Sequence, residues 1–340
     1  MNSTQVGVDL AKSVFEVAVS DTPGRVSERR RLSRARLRPF FAEREPSQIL
    51  LEACGSAHHW GRELTALGHR VTLLHPGDVA RYRDGNKTDR ADAKALLEAC
   101  RNAALDPVPL KSIDQQAVAA LHRLRQGCVR TRTARINAVR GHLREFGVSI
   151  PVGASKLVPH ARAALCEGAV PRYLRAALEE ALGEIEVLGE RAESLRVELA
   201  GLAQRMPDTA LLMSVPGVGV LSATALVAFT GPIGRFRTGR HFASYLGLTP
   251  REYSSGHTRR LSRITKRGNA YVRTLLVHGA RSALRAGAAS NEPDDLRAWA
   301  LAVQRRSGHN KAAVALANKL ARVCWRVWRD QRPFERRSAG

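Results

Sequence analysis

The sequence predicts an α/β layer domain over residues 1–110, a helical, coiled-coil-like region over 111–205 and a mainly helical, basic region over 206–340. Three observations carry this. Strand and helix signals alternate through the first hundred residues. Leucine and isoleucine then recur at helical spacings with little strand signal. A Pro/Gly-rich break after residue 207 opens a stretch rich in serine, glycine and arginine.

In order along the chain, Gln5–Leu10 and Val14–Val19 read as two strands around a tight turn, with an arginine-rich third strand near 25–32. Ile49–Ala53 is a short buried strand. A helix over 57–67 ends at Gly68, and Val71–Leu74 is the next strand, closed by Pro76-Gly77. Thr88 is a good N-cap for a helix whose first turns carry Asp89 and Asp92. Further on, Leu121, Leu124, Cys128, Ile136, Val139 and Leu143 form a heptad-like seam on an arginine-rich helix. A second long helix, from Leu174 to Leu202, is rich in glutamate. The two could pair within or between subunits, or present two solvated faces of a hairpin. A closing helix over 296–329 carries Trp299, Trp325 and Trp328, which read as core residues and not as a base-stacking platform.

Charge sets the class of partner. The 340 residues hold 55 Lys+Arg against 31 Asp+Glu, a net charge of +24. Such a surplus is the footprint of a polyphosphate partner, DNA or RNA, bound in a salt-sensitive way. No basic amphipathic membrane helix or lipidation signal accompanies it. The uncharged run Leu211–Phe229 is long enough to span a bilayer, but Pro216, Gly217 and Gly219 break it into two short helices. Five scattered cysteines without a CxxC pair point to a reducing cytoplasm and away from zinc. The first apolar run contains Asp9 and Lys12, which argues against a signal peptide.

Two constellations carry chemistry. Asp9 and Glu52 each end an apolar strand, where a charge is costly unless paired or metal-bound. Asp89 and Asp92 share one helix face. By themselves those two would be dipole partners at a helix start; with Asp9 and Glu52 at one sheet end, the set calls for Mg²⁺, or Mn²⁺. An actin-like ATPase would need a second Asp-x-Gly strand and an adenosine loop, and neither is present. In the C-terminal region, Val215-Pro216-Gly217-Val218-Gly219 has the form of a helix-hairpin-helix turn, with Gly217 and Gly219 presenting backbone N–H groups to a phosphate. Arg251, Arg259, Arg260, Arg263, Lys266 and Arg267 then surround Ser254-Ser255-Gly256 on a loop. From residue types alone such a serine reads first as a phosphate contact and second as a nucleophile activated by surrounding cations.

Two ordered motif sets extend the reading. One is Gly7-Val8-Asp9-Leu10-Ala11-Lys12, Leu51-Glu52-Ala53 and Asn86-Lys87-Thr88-Asp89-Arg90-Ala91-Asp92-Ala93. The other is Pro216-Gly217-Val218-Gly219, Phe242 to Pro250, Ser255-Gly256, Lys266-Arg267-Gly268 and Arg273. With these the chain resembles the DEDD-type serine transposases of the insertion-sequence one-ten group, which includes the pilin-gene DNA invertase. The resemblance implies a resolvase-type ribonuclease-H-like N-terminal domain, with Asp9, Glu52, Asp89 and Asp92 as a Mg²⁺-holding tetrad. It implies a helical dimerising middle and a C-terminal transposase domain whose Ser255 attacks the scissile phosphodiester to form a phosphoserine link. Ser254 beside it leaves a one-residue ambiguity. Implied partners are donor and target double-stranded DNA, a structured guide RNA from the element's own end, and further subunits in a homodimer or homotetramer. Two other readings stay open beside it. One is a metal-dependent junction nuclease that uses water, or an invertase without guide RNA. The other is a non-catalytic nucleic-acid-binding protein.

Overall fold

Short strands rich in valine, isoleucine and leucine form one five-stranded sheet in the computed structural model, which describes residues 4–22, 24–290 and 294–335. β1 (Gln5–Asp9), β2 (Val14–Ser20) and β3 (Glu28–Ser33) make an antiparallel meander. β4 (Gln48–Glu52) pairs parallel with β1, and β5 (Arg70–Leu74) parallel with β4, giving the order β3-β2-β1-β4-β5. The parallel strands need crossovers, which α1 (Arg34–Ala42) and α2 (Ala57–Ala66) supply. The sequence reading missed α1, because its arginines and internal Pro39 hide the helical period.

Period-two alternation gives the sheet two apolar faces. Val6, Val8, Phe15, Val17, Ile49 and Leu51 pack with Leu37, Phe41, Trp60 and Leu64 on one side. On the other, Ala18, Leu50 and Leu74 meet Ala93, Leu96 and Leu97. These last belong to α4 (Asp89–Cys100), reached through the single-turn α3 (Pro76–Val79). Gly7 faces α4 so closely that a Cβ there would stand 2.4 Å from the Ala93 carbonyl oxygen. Only hydrogen fits. Gly7→Ala is therefore expected to lift α4 off the sheet and cost about 1–3 kcal/mol, read as a lower urea midpoint. An unchanged midpoint would refute the close packing.

The chain divides into two compact units, Met1–Ile113 and Asp114–Gly340, so the helical middle shares a unit with the C-terminal region. Three helices form that middle: α5 (Ile113–Glu145), α6 (Ala154–Cys166) and α7 (Arg172–Gln204). Ile136, Val139 and Leu143 of α5 share a core with Leu178, Leu182 and Ile185 of α7 and Leu157 of α6. Charges follow the packing, with Arg135 2.8 Å from Glu184 and Arg162 bridging Glu179 and Glu186. The basic and acidic helices thus meet within one chain.

The rest of the unit comprises α8 (Pro207–Met213), α9 (Val220–Thr230), α10 (Gly239–Tyr245), a hairpin of β6 (Pro250–Glu252) and β7 (Leu261–Ile264), and α11 (Ala270–Ala288). The uncharged run Leu211–Phe229 falls on α8, a turn and α9, and no helix among the described residues is long and apolar enough to cross a membrane. The closing helix expected over 296–329 is two, α12 (Asp295–Ser307) and α13 (His309–Asp330). Gly308, at φ 81, turns the chain between them. Trp325 and Trp328 are buried, and the Trp325 indole donates to the Phe236 carbonyl at 3.1 Å.

A buried histidine ties α5, α9 and α11 together. His122 is fully buried, 3.0 Å from both the Tyr271 hydroxyl and Thr224 Oγ1. Thr224 spends its own proton on the Val220 carbonyl at 2.6 Å, so it accepts from His122 Nε2–H, and Nδ1 accepts from Tyr271. Burial, with Arg125 nearby, pushes the imidazole pKa from 6.5 down to about 4. The unfolded chain therefore takes a proton that the folded unit refuses, and stability is lost as pH falls from 6.5 toward 4. At pH 5 the loss should be about 2 kcal/mol in urea melts, and His122→Gln should lack that part of the pH dependence.

Candidate active site

Register brings the first two carboxylates together. β1 and β4 run parallel with Val8 opposite Leu51, so Asp9 and Glu52, the next residues, end neighbouring strands at one sheet edge. Asp89 and Asp92 come from α4, whose start is fixed by the Thr88 side chain accepting from the Ala91 N–H at 3.2 Å. The close approach of α4 at Gly7 carries that end of the helix to the strand ends.

The electrostatics record the convergence. Burial first, then the charges of Asp92, Asp89 and Glu52, push the Asp9 carboxyl up to about 6, while Lys87 opposes them. Asp92 is buried and forms an ion pair with Arg83, from the loop before α4. The sequence reading missed Arg83, since nothing in a polar loop marks which acid an arginine will meet. No group of three or more His, Cys, Asp and Glu side chains among the described residues forms a ready-made metal cage. Of the four carboxylates, Asp92 is already engaged by Arg83. Their donor chemistry is nonetheless all oxygen, with surplus negative charge at Asp9, and that suits a hard divalent cation.

In the second unit the hairpin tip is built by Ser255 and Thr258, whose backbones exchange bonds of 3.2 and 3.0 Å around Gly256. Ser254 is tied into the hairpin: its hydroxyl donates to Glu252 at 2.7 Å and accepts from the Arg260 N–H at 3.2 Å. The Ser254 bond and then Arg259, 3.3 Å away, hold the Glu252 carboxyl below its usual range. Ser255 is exposed, and its hydroxyl makes no hydrogen bond among the described residues. Arg251 donates to the Thr265 carbonyl at 3.2 Å, whereas Arg260, Arg263, Lys266 and Arg267 have no carboxylate partner among the described residues. At the hairpin base the Arg273 guanidinium donates to the carbonyls of Leu246 and Arg267, at 3.1 and 3.0 Å. Arg273 therefore holds the two ends of the hairpin together.

The 215–219 turn separates its two glycines. Gly217, at φ 84, lies back to back with Gly279 of α11; a Cβ on Gly217 would stand 2.5 Å from the Gly279 carbonyl oxygen. Gly219, the residue capping α9, is exposed with open space around it. Gly217 packs against α11 and is half-buried, whereas Gly219 is exposed.

Comparison with known proteins adds two family matches. Residues 6–148 match a DEDD-type IS110 transposase family, and residues 209–293 match the family described as "Transposase IS116/IS110/IS902 family". A "Probable family 20 transposase" of Pseudomonas aeruginosa is 42% identical over 332 residues, 96% of each chain. The "Transposase for insertion sequence element IS1111A" of Coxiella burnetii is 38% identical over 97% of this chain and 90% of its own. A "Pilin gene-inverting protein" of Moraxella lacunata is 27% identical over 37% of this chain and 38% of its own.

Proposed function

The chain belongs to the IS116/IS110/IS902 family of transposases, and from that premise we propose that it cuts and rejoins the DNA of an insertion sequence, with Ser255 as nucleophile and Asp9, Glu52, Asp89 and Asp92 as holders of a divalent cation. The observation that carries this is the nearness of Asp92 and Asp89 of α4 and Glu52 of β4 to Asp9, whose carboxyl is raised to about 6 by burial first and then by their charges. Mg²⁺ or Mn²⁺ held there would neutralise charge on a phosphodiester. The strand order β3-β2-β1-β4-β5 supports the ribonuclease-H-like reading of residues 1–110.

In the reaction, the Ser255 Oγ–P bond forms as the bond from phosphorus to the leaving sugar oxygen breaks. The serine proton ends on that sugar hydroxyl. Rejoining runs the same exchange with a different sugar hydroxyl, so bond energy is kept and no nucleotide is consumed. Arg260, Arg263 and Arg267, which have no carboxylate partner among the described residues, favour the alkoxide and the charge that builds on phosphorus. Arg251 and Arg259 complete the phosphate-facing set, and Gly219 in the helix-hairpin-helix turn offers its backbone to flanking nucleic acid.

Residues 111–205 are read as the multimerising region and 206–340 as the transposase domain. Leu124, Val129, Val187 and Val197, exposed by 40–60% along α5 and α7, support a dimer or tetramer. The insertion-sequence relatives match over far more of the chain than the pilin inverter, which favours an element-encoded guide RNA over fixed-site inversion. The DNA-acting chain is placed in the cytoplasm.

The test uses the full chain with the end sequences of its own element. After denaturation and tryptic digestion, mass spectrometry of the peptide Glu252–Arg259 should find a nucleotide adduct on Ser255. Cut DNA with free ends and an unmodified peptide would move the chemistry to water.

A further inference from the structure

At the base of the serine hairpin lies a second cationic feature, separate from the arginines of the hairpin itself. The end of β7, the connection after it and one face of α11 enclose a cleft of about 270 Å³. Its polar lining is Lys266, Arg273, Thr274, His278 and Arg281, with Ile264 as an apolar wall. Thr274, His278 and Arg281 follow helical spacing, so α11 presents them in one row.

No carboxylate lines this cleft, and none pairs with Lys266, Arg273 or Arg281 among the described residues. Three permanent cations held together without a counter-charge repel one another, and an anion relieves that. Two of the three cations are also tethered. Arg273 is anchored by two backbone carbonyls, and Arg281 donates to Asn310 Oδ1 at 3.1 Å while its buried Nε has no hydrogen-bond partner. Lys266 sits in the left-handed region at φ 56, a conformation that a non-glycine residue adopts only when its surroundings impose it. Two guanidinium forks with donors to spare, an ammonium and a hydroxyl suit the paired non-bridging oxygens of a phosphodiester.

We propose that this cleft seats one backbone phosphate of a nucleic-acid strand, gripped by Lys266, Arg273 and Arg281 beside the Ser255 hairpin. The proposal rests on the recombinase reading, because β7 joins the hairpin to the cleft. It adds a helix-borne contact that sets where the strand lies relative to Ser255.

The test is fluorescence anisotropy of the full chain with a labelled duplex DNA, and with an RNA duplex of equal length, across a salt series. Arg281→Gln should weaken DNA binding roughly tenfold near 0.1 M salt and reduce the salt slope by about one. Thr274→Glu places a negative charge in the cleft and removes no cation, and it should weaken binding to a similar degree. If Arg281→Gln melts early through loss of its Asn310 bond, Thr274→Glu decides. Loss confined to the RNA arm would support the same phosphodiester site with RNA as its source. Wild-type affinity and slope in both arms for a folded Thr274→Glu would overturn it. Covalent capture on Ser255, read separately by mass spectrometry, keeps the two readings separable. A missing serine adduct with cleft effects intact sinks the nucleophile alone. An adduct formed by a chain whose cleft variants bind normally sinks the cleft alone.

Discussion

Ser255→Ala is expected to abolish covalent capture of DNA and to lower strand transfer at least about 10⁴-fold, as removal of a nucleophile does in other covalent enzymes. Ser254→Ala should stay within about tenfold of wild type, the scale of a lost positioning bond. The two neighbours differ in what their hydroxyls already do. Ser254 is committed on both sides, to Glu252 and to the Arg260 N–H, and moving it would unpick the hairpin. Ser255 stands at the tip, exposed and without a hydrogen bond among the described residues. Glu252 is a weak base for it, because the Ser254 bond and Arg259 hold its carboxyl below the usual range and both occupy its Oε1. Both substitutions remove one oxygen from an exposed hairpin away from the core, and Ser254→Ala also gives up its two hairpin bonds. Denaturing gels of labelled DNA ends would read the result. Loss of capture in Ser254→Ala with retention in Ser255→Ala would shift the nucleophile by one residue, capture retained in both would mean that either serine serves, and cut DNA without capture in the wild type would leave water as the nucleophile.

What the sequence reveals follows from what a single residue can signal by its neighbours. Asp9 and Glu52 are legible because each interrupts an apolar strand, and Asp89 and Asp92 because Thr88 marks a helix start. That the four meet depends on the parallel register of β1 and β4 and on the hydrogen at Gly7, neither of which a linear pattern records. Arg83 was illegible for the same reason: its meaning lies in the fold of a polar loop onto Asp92. In the second unit the hairpin could be read only as a loop, because β6 and β7 are short and exposed and have no alternating apolar pattern. Periodicity likewise carried one closing helix through Gly308, where a positive φ ends α12. The separate duties of Gly217 and Gly219 emerge only from the contact with Gly279.

Asp9→Asn should remove strand cleavage by about 10³-fold or more, and it should also make the N-terminal unit more stable at pH 7. The second half follows from the raised carboxyl. The Asp9 pKa moves from 3.8 to about 6, so the folded unit holds the proton more tightly than the unfolded chain does. Its contribution to stability is full below 3.8 and is lost as pH rises through about 6. At neutral pH the ionised group is a burden on the order of 1 kcal/mol once solvent screening of a partly exposed site is allowed for. Asparagine keeps the shape and drops the charge. The variant should therefore melt higher at pH 7, lose the fall in stability across that window, and match wild type below it. Added Mg²⁺ or Mn²⁺ should raise the melting temperature of wild type and leave Asp9→Asn nearly unmoved, a reading independent of activity. If Asp9 were a structural acid, the same substitution would lower stability at pH 7. A variant that is less stable and still active would separate Asp9 from the chemistry. One that is more stable and inactive means that repulsion among these carboxylates is retained for a cation, with the fold bearing the strain through Lys87 and the Arg83–Asp92 pair.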